Sequence, residues 1–286
     1  MPKILCLHGY GTSASILEHQ LGPFIAAADA SYEFVFLEGE IECQKAQGVG
    51  NFVKGPFLCY NASFSPTDIQ KSCDMIDEMV ETEGPFDGIL GFSQGGSIAL
   101  SYLLQRQRTG FPPLFRWAVF LSTVIAFSPD ATFGSPILAR LTDREIALLD
   151  GYPASDLSSL DGPTRALCET TARTFHSAKT GGFIAPDTAG VLFSRRDDPL
   201  QPRVFHPALL ADADRITIPT VHITGKKDNG LMVELSVLVQ GLCRPGLVRA
   251  LMHSGGHNVP RAAGDVRAAW AAVDWAVQQS QKLAGW

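Results

Sequence analysis

The sequence predicts an α/β fold, a mostly parallel, doubly wound sheet flanked by helices. Three observations carry that prediction. Short apolar runs alternate with longer segments whose apolar residues recur at helical spacing, the pattern of successive β-α-β units. Glycine-rich turns stand where several of these runs would pass into a helix. The chain has 286 residues and 45% hydrophobic content, enough for one α/β domain, 1–286, with a sizeable core.

In chain order, Ile4-Leu5-Cys6-Leu7 marks a strand near 3–7, and His8-Gly9-Tyr10-Gly11-Thr12 turns out of it toward a helical pattern over 14–28. A strand near 33–37 follows. Residues 38–62 carry Gly48, Gly50, Gly55 and Pro56 with Phe52, Phe57 and Tyr60, so this stretch either lines a pocket wall or runs as a long crossing loop. Helical spacing over 67–83, a strand near 87–91, helical spacing over 95–107 and a strand near 117–122 restore the alternation. Residues 128–214 break it: Pro, Gly, Ser and Asp abound, and only 136–149 and 164–178 read as helical. So long an excursion is seldom mere loop, and the expectation is a cap inserted over the carboxyl ends of the strands. The alternative is an elaboration on the sheet's flank. A strand near 218–224, a helix over 231–242, a strand near 247–252 and a helix over 262–282 complete the chain.

The stretch with most chemical content is Gly91-Phe92-Ser93-Gln94-Gly95, between an apolar run and a helical one. It reads as a nucleophile elbow, where glycines let a strand turn sharply into a helix and lift the serine hydroxyl clear of the sheet. A serine hydroxyl is a weak nucleophile near neutral pH, so it needs an imidazole to take its proton and a carboxylate to fix that imidazole's tautomer. Asp228 stands in the loop after the β-branched run 218–224, and His257 in the glycine-rich turn His253-Ser254-Gly255-Gly256-His257 after the next strand. The order Ser93, Asp228, His257 is the one this elbow requires. Backbone amides of Tyr10, in the first turn, and of Gln94, after the nucleophile, are the expected oxyanion donors.

Together these motifs and the ending His253 to Pro260 resemble the fungal serine hydrolase family of α/β-hydrolases over nearly the whole chain, most weakly over 128–214. The resemblance implies the α/β-hydrolase fold, the triad at the positions already argued, and action on esters or thioesters. It extends to thioesterases that release polyketides in fungal secondary metabolism. The partner it implies is a small acyl ester or thioester, free or presented by an acyl carrier protein.

A net charge of −6 argues against a nucleic-acid partner, and the pairs Lys226-Lys227 and Arg195-Arg196 read as solvated surface. The six cysteines show no ligand spacing, and Ser-Gly-Gly between His253 and His257 spoils a helical metal pair, so no metal and no cofactor is expected. With the first strand three residues from Met1, no spanning apolar run and no Ser-Lys-Leu ending, the expectation is a cytoplasmic protein without membrane association. His8 reads as structural, His222 as a strand residue, and His176 and His206 as members of the excursion. Phe133, Ile137, Leu138, Leu141 and Phe175 are the residues expected to line an acyl pocket if the excursion is a cap. Acyl transfer or cyclisation by the same triad, and a non-catalytic binding role, are the competing functions.

Overall fold

In the computed structural model, which describes residues 1–180, 193 and 200–285, six strands form one parallel sheet. They are β1 (Lys3–Leu7), β2 (Glu33–Leu37), β5 (Gly88–Phe92), β6 (Trp117–Leu121), β7 (Thr220–Gly225) and β8 (Val248–His253), in the order β2-β1-β5-β6-β7-β8. The remaining two, β3 (Ile41–Glu42) and β4 (Leu58–Cys59), pair antiparallel within the stretch 38–62. The helices are α1 (Ala14–Ala26), α2 (Pro66–Glu83), α3 (Gln94–Arg108), α4 (Ser135–Ala139), α5 (Asp143–Asp150), α6 (Gly162–Thr164), α7 (Thr170–Thr180), α8 (Gly230–Gln240) and α9 (Ala263–Leu283). A π-helical stretch, Arg165–Glu169, joins α6 to α7.

Central strands covered on both faces are continuously apolar, and β5 and β6 are buried at every position. Alternate residues then feed two cores. Leu5, Leu7, Ile89 and Phe120 pack with α2, α3 and α8, while Ile4, Cys6, Leu90 and Val119 pack with α1 and α9. Helix starts follow the capping rules: Ser13, Ser65 and Asn229 each accept a backbone N–H with the side chain. The helical piece read at 136–149 is two helices, because Thr142 and Glu145 form a capping box that starts α5 afresh.

The excursion leaves β6 beside the carboxyl edge of the sheet, where Ser122 adopts φ 42. It then runs down α3, as Ser97 Oγ donates to the Ile125 carbonyl, the Phe127 amide donates to Ser101 Oγ, and Arg108 pairs with Asp130. The return leg comes back along the far end of α3, where Gln107 Nε2 donates to the Ala213 carbonyl. It enters β7 at Thr220, and in a parallel sheet that is the edge opposite Ser93. The excursion therefore starts at the catalytic edge and ends at the other one. No strand occurs in it among the described residues. The parts of 128–214 at 181–192 and 194–199, including Arg195-Arg196, lie outside the described residues.

Candidate active site

Register in the sheet brings the first turn to the nucleophile. Leu7 of β1 pairs with Gly91 of β5, so the residues after each strand lie side by side. Ser93 occupies the junction of β5 and α3 with φ 51 and ψ −113, a strained conformation for a residue with a side chain. Its amide donates to the Leu121 carbonyl at 2.9 Å, tying the elbow to β6. Close approach explains the flanking glycines. A Cβ at Gly91 would come within 2.5 Å of Gly96, and one at Gly95 within 2.4 Å of the Leu7 carbonyl oxygen.

Three side chains meet at this elbow. His257 Nε2 lies 2.9 Å from Ser93 Oγ, and His257 Nδ1 lies 2.9 Å from Asp228 Oδ2. The carboxylate can only accept, so Nδ1 carries the proton and Nε2 is left to accept from the serine. Asp228 is held in turn by the Asn229 amide on its Oδ1 at 2.9 Å, and its side chain is 1% exposed. The acid and base loops are laced together. Lys226 and Lys227 amides donate to the His253 and Gly255 carbonyls, and Ser254 donates twice to Asp265 at the start of α9. Gly225 has to be glycine for this, since a Cβ there would meet the Gly256 carbonyl oxygen at 2.0 Å. The imidazole packs against Phe92 with ring centroids 5.3 Å apart and keeps 37% of its side chain exposed.

The turn expected to supply an oxyanion amide touches the nucleophile. A Cβ on Gly9 would lie 3.4 Å from Ser93 Cβ, and Tyr10 is next in the chain. Gln94 is the first residue of α3, where backbone N–H groups lack intrahelical acceptors and the helix dipole favours negative charge. The Gln94 side chain is engaged elsewhere: its Oε1 accepts from the Tyr60 amide and its Nε2 donates to Asn61 Oδ1. Tyr60 and Asn61 thus hold the end of the β3–β4 stretch against the elbow. Tyr60 entered the sequence reading only as one aromatic of that stretch, and Asn61 not at all.

Of the other histidines, His8 is fully buried, and burial pushes its pKa down to about 4, so it is a neutral structural group. His222, within β7, is likewise pushed down to about 3 by burial. His253 is buried and accepts from the Gly255 amide through Nδ1, facing its own turn. No group of three metal-ligating side chains occurs among the described residues.

Of the five residues expected to line an acyl pocket if the excursion is a cap, four lie inside the core. Phe133, Leu138, Leu141 and Phe175 are buried in the core shared with α2 and α3, and Ile137 packs on its edge. Phe133 faces the Phe205 ring at 4.8 Å with the Arg108 guanidinium 4.7 Å above it. Arg108 ends α3 and Ser93 precedes it, so one helix length, about 20 Å, lies between them. Phe133 is core packing. Phe175 is edge-on to Phe64 at 5.2 Å, while Arg173 on the same helix pairs with Glu234 of α8.

A six-stranded parallel sheet with a strained serine between β5 and α3, hydrogen-bonded through a histidine to an acid after β7, defines an α/β-hydrolase. The family model described as Serine hydrolase (FSH1) matches residues 1–269, and the chain belongs to that family. It is 78% identical to Esterase alnB of Emericella nidulans over the full length of both chains. It is 31% identical to Hydrolase FUB4 of Fusarium oxysporum f. sp. lycopersici over 91% of this chain and 92% of that one. It is 30% identical to Serine hydrolase cnsH of Penicillium expansum over 82% of this chain and 96% of that one. The fold is also that of esterase PE8, with TM-score 0.50 and 16% identity over 96% and 92% of the chains. Mouse alpha/beta hydrolase domain-containing protein 10 has TM-score 0.50 and 15% identity over 98% and 90%. Among the described residues, no helix is long and apolar enough to cross a membrane.

Proposed function

We propose that the chain cleaves an ester or thioester through an acyl-Ser93 intermediate. The observation that carries this reading is the continuous line from Asp228 Oδ2 through His257 to Ser93 Oγ, with both contacts at 2.9 Å. In the first half, Ser93 Oγ attacks the acyl carbon, its proton passes to His257 Nε2, and the imidazolium is stabilised by Asp228. The negative charge on the former carbonyl oxygen falls to the amides of Tyr10 and Gln94. The collapsing adduct expels the alcohol or thiol, which takes the proton back from His257. In the second half, water attacks the acyl carbon as its proton passes to the same nitrogen, and collapse of that adduct releases the acid while Ser93 Oγ takes the proton back from His257.

The name of the 78% identical relative supports esterase chemistry, and the family resemblance supports a place in fungal secondary metabolism, with a polyketide or other acyl chain as the group released. A thioester leaving group, presented by an acyl carrier protein, is part of this proposal, as is action in the cytoplasm. The exposed imidazole favours hydrolysis over acyl transfer, because water reaches the general base. The test is intact-mass analysis after exposure to a panel of aryl esters and acyl thioesters. Acyl adducts on Ser93 that decay to free acid support the reading. Adducts that persist in water and discharge only to an added alcohol or amine would point to transfer.

A further inference from the structure

The carbonyl of Gly9 receives an unusual share of hydrogen bonds. Thr12 Oγ1 donates to it at 2.6 Å, and His8 Nδ1 lies 2.8 Å from it. The direction of the second bond follows from His8's other nitrogen. Nε2 is 2.9 Å from the Gly39 amide, which can only donate, so in the neutral ring the proton is on Nδ1 and points at the Gly9 oxygen. Nδ1 also lies 3.3 Å from Thr12 Oγ1, closing a small triangle. The imidazole is clamped in this orientation: it packs against the Tyr60 ring at 4.6 Å, while the Tyr60 hydroxyl accepts from the His8 amide and donates to the Leu37 carbonyl. His8 and Thr12 are both buried, at 0% and 2% exposure, so water does not compete for the Gly9 oxygen.

The Gly9 carbonyl and the Tyr10 amide belong to one planar peptide unit, with C=O and N–H pointing in opposite directions. Two donors that hold the oxygen inward therefore fix the N–H facing the other way. They also polarise the unit, which makes that N–H a better donor. We infer that Thr12 and His8 are positioning residues for the oxyanion amide of Tyr10, acting through the carbonyl of Gly9. The inference rests on the acyl-serine reading above. It gives a second reason for glycine at position 9, since the peptide has to lie against Phe92 and Ser93 and a Cβ would stand 3.0 Å from the Phe92 ring.

The test compares Thr12→Val, which keeps the buried volume and removes the hydroxyl, with Thr12→Ser, which keeps the hydroxyl. Each is assayed on one aryl ester and titrated with a trifluoromethyl ketone bearing the same acyl part. Ser93 Oγ adds to the ketone carbon, His257 takes the proton, and the new oxyanion lies in the hole. The expected result for Thr12→Val is a kcat about tenfold lower with KM within about twofold, and a ketone inhibition constant raised by the same factor as kcat falls. Thr12→Ser should restore both to within about twofold. Should the valine variant not fold, Thr12→Ala carries the same comparison. A folded variant without the hydroxyl that keeps wild-type kcat and ketone affinity, or whose loss falls wholly on KM, overturns the inference. A wild-type protein that neither hydrolyses the ester nor binds the ketone overturns the hydrolase reading itself, a pattern distinct from the selective loss.

Discussion

His257 Nε2 and Ser93 Oγ are 2.9 Å apart although 164 residues separate them in the chain. Two loops at one edge of the sheet produce that contact, and each is fixed by features outside the triad. On the serine side these are glycines that admit close backbone approach. On the histidine side they are backbone hydrogen bonds to the loop that carries Asp228.

Asp228→Asn should fold normally and lose about ten-thousand-fold in kcat. The amide oxygen would still accept from Asn229, which turns the NH2 toward His257 Nδ1 and forces the imidazole proton onto Nε2. That nitrogen then meets Ser93 with a donor where an acceptor is needed. Steady-state kinetics on an aryl ester, with circular dichroism as the folding control, checks this. A loss below about tenfold would show that another carboxylate orients the base.

Gly95→Ala should destabilise the protein and slow it. A Cβ at Gly95 would meet the Leu7 and His8 carbonyl oxygens at 2.4 and 2.6 Å, both fixed backbone, so α3 and the oxyanion turn have to separate. A loss of about 1–3 kcal/mol in urea unfolding is expected, accompanied by a fall in kcat.

Phe133→Ala should cost about 3–5 kcal/mol of stability, because it empties a buried site between Phe205 and Arg108. Its acyl-chain preference should match that of the wild type. A chain-length profile that shifts in this variant while Ser93 acylation by a small ester persists would return Phe133 to the substrate pocket.

The main strands and helices were legible from the sequence because each combines an apolar period with glycine or proline punctuation. Two features were not. Strands β3 and β4 hold two residues each, too short for any period to register, yet they anchor the wall that reaches Gln94 through Tyr60 and Asn61. The course of the excursion is the second: its residues show no period that tells where it runs, and because parallel strands all begin at the edge opposite Ser93, the segment leading into β7 finishes there. The three reacting residues were legible because each follows a strand in the order this chemistry demands. The support from Thr12 and His8 was not, since it depends on where the Gly9 carbonyl points, and no residue pattern encodes that direction.

Acid should destabilise the protein through His222. Burial lowers its pKa from the ordinary 6.5 to about 3, so in that interval the unfolded chain binds a proton that the folded protein does not. Stability is full above about pH 6.5 and falls as pH drops toward 3, by about 2 kcal/mol between pH 6.5 and pH 5 for this group. Urea unfolding at the two pH values should show His222→Gln losing about 2 kcal/mol less than the wild type over this interval. Equal losses in both proteins would assign the acid sensitivity to other groups.

The central claim is that Ser93 becomes acylated and that His257 discharges it. The most direct measurement is rapid-quench kinetics with an aryl ester, with peptide mapping of the quenched protein by mass spectrometry. The account predicts a burst of phenol equal to the enzyme concentration and an acyl group on the peptide containing Ser93. It also predicts that both disappear in Ser93→Ala, which keeps its fold. A burst that survives in Ser93→Ala, or acyl groups mapped to any other residue, would contradict it.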